Sequence, residues 1–152
     1  MSNKYMDANP PCDKISFTLS KSAHEYLQKA LPGCVEWMSK QNLVPILSFS
    51  GGGRHEKDGK VIWEYSGPLF LLAGQKREAL RDGKYYDVLG FPVWIGEIDN
   101  LLLKGRVLTF MKVGSPEPVE QLVIENAPEN YFETALRNNC ASCCEPKIKQ
   151  GV

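Results

Sequence analysis

Gly90-Phe91-Pro92-Val93-Trp94-Ile95-Gly96-Glu97-Ile98-Asp99-Asn100-Leu101-Leu102-Leu103-Lys104-Gly105-Arg106-Val107-Leu108-Thr109-Phe110 is the stretch whose reading decides the fold. Residues 91–95 have the β-branched and aromatic composition that suits a pleated, half-buried surface. Pro92 offers no N–H to a ladder, so this strand is either an edge or open at Pro92. Ile98, Leu101, Leu102 and Leu103 recur at one-turn spacing, which predicts a short helix pressed on a sheet. Lys104-Gly105 then closes that helix, with a cation in the last turn and glycine for the left-handed cap. Residues 106–112 resume as a strand. This is the densest apolar segment of the chain, so it is expected to be central, with Leu108 and Phe110 buried.

Working outward, residues 1–14 with Asn9-Pro10-Pro11 read as a flexible lead-in. Ile15, Phe17 and Leu19 alternate with polar neighbours, the pattern of one short strand. The period then changes. Leu19, Ala23, Tyr26, Leu27, Ala30 and Leu31 form the stripe of an amphipathic helix, capped by either Ser20 or a Ser22/Glu25 box. Pro32-Gly33 is expected to stop it, with a short helical turn over residues 34–40 carrying Trp37 and Met38. Residues 44–50 form a strand that ends in Gly51-Gly52-Gly53. Residues 54–58 read as a charged loop, and Asp58-Gly59 as a hairpin turn. Strands follow at 61–65, 69–73 and 85–89, with one helical turn over Ala79 and Leu80 between the last two. The 85–89 strand pairs with 91–95 around Gly90. After a Gly/Pro loop at 114–118, residues 119–125 make a final strand. Pro128 opens a closing helix that presents Tyr131, Phe132, Ala135 and Leu136 on one face. About seven short strands joined mainly by hairpins, with an N-terminal, a middle and a C-terminal helix, give an α+β fold on an antiparallel or mixed sheet. The single domain spans 15–139, and a cysteine-containing tail covers 140–152.

Composition bounds the function. With 152 residues the chain has length for one core. Lys plus Arg and Asp plus Glu both number 18, so the formal charge is zero and argues against nucleic-acid binding through an overall field. No apolar run approaches the roughly 20 residues that span a bilayer, and residues 1–7 lack the apolar core of a signal peptide. A cytoplasmic, reducing compartment is the expectation. Five cysteines, an odd number, favour free thiols or a metal site over a disulfide framework.

Three groups of residues can carry chemistry. Cys140-x-x-Cys143-Cys144 places thiolates at chelating spacing, the alternative being incidental thiols in a tail; a full zinc site needs further ligands from Cys12, Cys34, His24 or His55. Ser50-Gly51-Gly52-Gly53-Arg54-His55 either wraps an anion with its N–H groups or is a wide hairpin needing positive φ. It lacks the spacing and the Lys-Ser/Thr of a phosphate loop. Trp37, Trp63 and Trp94 with Tyr65, Tyr85 and Tyr86 are core or sheet-face aromatics, or they line an apolar pocket. His24 and His55 read as surface residues. Glu97 and Asp99 read as charges at a helix N-terminus.

The order of elements resembles the HesB-like family, the A-type iron–sulphur cluster carriers. Ile15-Ser16-Phe17-Thr18-Leu19-Ser20-Lys21-Ser22-Ala23 matches their first strand and Ser/Thr-led helix, and Ser48-Phe49-Ser50-Gly51-Gly52-Gly53 their strand and glycine loop. Gly90 to Ile95 followed by Leu101-Leu102-Leu103-Lys104-Gly105-Arg106-Val107 has the form of their later strand, short helix and strand. Glu125-Asn126-Ala127-Pro128 corresponds to the turn before their C-terminal cysteines. The family has a cysteine in the glycine loop where this chain has Gly53-Arg54, so His55 would have to substitute. It closes with C-x-C where this chain has Cys140-x-x-Cys143-Cys144.

The first functional expectation is a non-enzymatic binding protein on this scaffold, without a cofactor, its ligand met by Gly51, Gly52, Gly53, Arg54 and Trp94. The alternative is an iron–sulphur cluster or zinc held by Cys140, Cys143 and Cys144 with His55. A third is a small thiol-dependent enzyme using Cys34 or a histidine. An edge at Pro92, an exposed Trp94 and zero net charge further suggest a homo-oligomer.

Overall fold

The computed structural model describes residues 11–127. The helix and tail expected beyond Pro128, with Cys140, Cys143 and Cys144, lie outside them. In chain order the elements are β1 (Asp13–Lys14), β2 (Thr18–Leu19), α1 (Lys21–Lys40), β3 (Leu43–Ser50), β4 (Gly53–Lys57) and β5 (Lys60–Tyr65). Then come β6 (Leu69–Lys76), a 3₁₀ turn (Arg77–Ala79), β7 (Gly83–Val88), β8 (Phe91–Gly96) and α2 (Glu97–Leu103). β9 (Val107–Val113), β10 (Ser115–Pro116) and β11 (Val119–Ile124) complete the described chain. The result is an α+β fold, mostly strands, with two α-helices among the described residues. Neither is long and apolar enough to cross a membrane.

Eight strands form one mixed sheet in the order β1-β7-β8-β3-β6-β11-β9-β2, and β10-β5-β4 form a small second sheet. Successive residues of β6 divide the interior between them. Phe70 pairs with Leu122 and belongs to the main core, beneath Ala23, Leu27, Leu31 and Val35 of α1 and Leu102 and Leu103 of α2. Its neighbour Leu69 pairs with Val123 and belongs to a second core with Trp63 of the small sheet. The two-residue period of a strand thus sends adjacent side chains into separate cores.

α1 starts where Ser20 accepts a hydrogen bond from the Ala23 N–H at 3.1 Å, so Ser20 is the cap. It does not stop at Pro32-Gly33 but runs on to Lys40. Pro32 forfeits one intrahelical bond, a cost of about 3 kcal/mol in a helix interior. Val35 and Met38, both buried, continue the stripe of Leu27 and Leu31 one and two turns further, and their burial offsets that cost. Trp37 points outward, 58 % exposed.

Several sequence expectations take a different form in three dimensions. β8 is an interior strand between β7 and β3, not an edge. Its bridge to β3 pairs Ile46 with Trp94, beyond Pro92, so the proline breaks no ladder bond there. β9 is the penultimate strand of the large sheet, not a central one, because β2 pairs along its far side. Leu108 is fully buried as expected, whereas Phe110 is half-buried and stacks on Tyr26 at 3.9 Å. In α2, Leu102 and Leu103 face the core, while Ile98 is 49 % exposed. Gly105 takes a φ of +72° after that helix, as its position required. The charged segment after the glycines is strand β4, paired with β5 across the Asp58-Gly59 turn. Of the expected first strand over Ile15, Phe17 and Leu19, β2 pairs along β9, while the end of the stretch read as a lead-in forms β1, which runs along β7.

Candidate functional site: a cleft walled by Trp94

The glycine triplet does not close a hairpin. It carries the chain from β3 in the large sheet to β4 in the small one. Gly52 has a φ of +140°, and a Cβ there would collide with the Tyr65 carbonyl oxygen. A Cβ on Gly53 would lie 2.6 Å from the Trp63 ring. These glycines let two backbones cross at close range, and Ser50 Oγ donates to the Gly52 carbonyl at 2.7 Å to hold the crossing. Gly52→Ala should therefore destabilise the fold by about 1–3 kcal/mol, the usual range for forced overpacking. A chemical melt indistinguishable from wild type would show the crossing to be loose.

Arg54 is exposed and engaged along the sheet surface, 2.8 Å from Glu56 and 3.9 Å from Glu64. His55 is exposed on β4 opposite Trp63, and His24 is exposed on α1. Among the described residues no three His, Cys, Asp or Glu side chains gather where a metal could sit.

Trp94 lies elsewhere. It forms one wall of a cleft of about 820 Å³ between the 77–84 segment and α2, which none of Gly51, Gly52, Gly53, Arg54 or His55 lines. Tyr85 and Trp94 pair across β7 and β8 and meet edge to face at 5.1 Å. The indole N–H of Trp94 donates to the Arg81 carbonyl at 3.0 Å, fixing the ring against the loop. Trp94 is thus half-buried and anchored, not an exposed aromatic. Arg77, Arg81 and Lys84 line the loop side, and Glu97, Asn100 and Leu101 the helix side. Lys84 is paired with Asp13 at 2.6 Å, which raises its pKa. Asn100 Oδ1 accepts from Ser16 Oγ at 2.9 Å, which orients its amide. The Glu97 N–H donates to the Asp82 carbonyl at 2.8 Å and joins α2 to the loop.

Behind Trp94 a chamber of about 90 Å³ is lined by Ser48, Gln75, Leu80, Arg81 and Asp99 among others. Asp99 is 6 % exposed. One of its oxygens accepts the Phe49 N–H at 3.0 Å, and the Gly96 N–H also donates to the carboxyl. Burial pushes its pKa up, while the Phe49 N–H, the Arg81 charge and the Gly96 N–H pull it down without cancelling the effect. Sequence alone identified Asp99 as a first-turn charge, which it is. Its reach to β3, fifty residues earlier in the chain, had no local signature. The cleft was equally hidden, because its loop side is a polar stretch without period.

Compared with known proteins, the chain matches no family model, no curated protein and no solved structure.

Proposed function

We propose that this is a non-enzymatic binding protein on a HesB-like scaffold, and that its ligand sits in the Trp94 cleft. The scaffold part of the proposal rests on the order of sequence motifs given above. The site part rests on one observation: a cleft of ligand size whose aromatic pair is held in place by its own backbone, with polar groups converging from two sides.

A thermal-shift screen of small aromatic and polar compounds tests this. Ligand at about one hundred times its Kd should stabilise the protein by about 2.7 kcal/mol. The shift should vanish in Trp94→Leu, provided that variant keeps the wild-type circular dichroism. Hits that stabilise the folded Trp94→Leu protein as well as wild type would place the ligand elsewhere.

A further inference from the structure

The two sides of the cleft differ in charge and in what offsets it. Glu97 is in the first turn of α2, and Asp82 is joined to that turn through its carbonyl. The positive end of the helix dipole therefore partly offsets the Glu97 carboxylate. Lys84 has its own counter-ion in Asp13. Arg81 has no ion-pair partner within 4 Å among the described residues. Its backbone carbonyl holds the Trp94 indole, and Arg81 and Trp94 both line the cleft. Asp99 lies within electrostatic reach of Arg81, but its carboxyl is buried and accepts the Phe49 and Gly96 N–H groups. Arg77 stands on the same side, close enough to Tyr85 for its charge to act on the phenol. A cleft lined by both an aromatic ring and guanidinium groups suits a ligand that stacks a flat ring and presents oxygen anions in its plane.

Resting on the binding reading above, we infer that the Trp94 cleft takes a ligand with a planar ring bearing an anionic oxygen group, a carboxylate or phosphate, the ring against Trp94 and the anion toward Arg81. Both anions share the chemistry that Arg81 recognises, so matched probes separate them.

Isothermal titration of the full chain with 2-naphthoate, 2-naphthyl phosphate, 2-naphthalenemethanol and 2-naphthylmethylamine tests the inference. At least one anion should bind about tenfold or more tighter than the alcohol and the amine, the scale of one charge-assisted contact. Whichever anion binds tighter names the source class. Arg81→Gln, a change at an exposed side chain, should bring that anion down to the level of the alcohol and leave the alcohol unchanged. An amine or alcohol that binds as well as both anions would overturn the anionic class while leaving the cleft a binding site. Anion binding unaffected by Arg81→Gln, or no binding by any of the four, would also overturn the inference. The Trp94→Leu screen decides the broader reading independently of these probes.

Discussion

Leu108→Ala is expected to destabilise the protein by about 2–5 kcal/mol, the range for emptying a core leucine site. Leu108 has no exposed surface and sits in the main core. Its strand is held on both sides, by Ile124 of β11 and by Leu19 of β2, and its carbonyl accepts the Ser20 N–H at 2.9 Å. The surroundings are thus pinned by backbone bonds and cannot collapse freely into the space. Met111 on the same strand is 48 % exposed and gives the control. Met111→Ala should change stability by less than about 0.5 kcal/mol. Urea titrations of the two variants check the pair. A Leu108→Ala cost as small as the control's would mean that β9 does not pack as described.

Asp99→Ala should cost about 1–3 kcal/mol for each buried donor that loses its acceptor, here the N–H groups of Phe49 and Gly96. The loss is local to the junction of β3 and α2, so it should also loosen the chamber behind Trp94. The pH dependence has a definite sign. Because burial raises the Asp99 pKa, the folded state keeps a proton that the unfolded chain has already released. Between the ordinary aspartate value, near 4, and the raised folded value, stability contributed by this group falls as pH rises. Below that window the protonated carboxyl carries no burial penalty, and above it the penalty is constant. Asp99→Asn removes the titration while keeping a carbonyl oxygen for the Phe49 N–H. The wild-type minus Asp99→Asn stability difference should therefore decrease from acid pH upward and then level off. A difference that rises with pH would mean that hydrogen bonds, not burial, dominate this carboxyl.

Local pattern carried most of the elements. The stripe of α1, the turn at Gly90, the short helix ending at Gly105 and the strands on either side of it are each specified within a few residues, because period and glycine conformation are near-neighbour properties. What local pattern misread or left open shares a cause. Pro32 looked like a stop because proline costs a helix bond locally, yet the burial of Val35 and Met38 is a tertiary gain that no local rule contains. Pro92 left two readings open, an edge strand or one open at the proline, and only the strand order shows that the second holds.

The sequence by itself determined that the chain folds as α+β, where most of its helices and strands lie, and that Leu108 is core, since periodicity and apolar density are written residue by residue. Only the tertiary structure decided which residues meet. It separated Trp94 from Gly51, Gly52, Gly53 and Arg54, set Arg81 beside the Trp94 ring, and buried Asp99 against Phe49. Those contacts join positions 13 and 50 residues apart in the chain. Their partners are chosen by the order and register of strands, and that order follows from how the whole core packs.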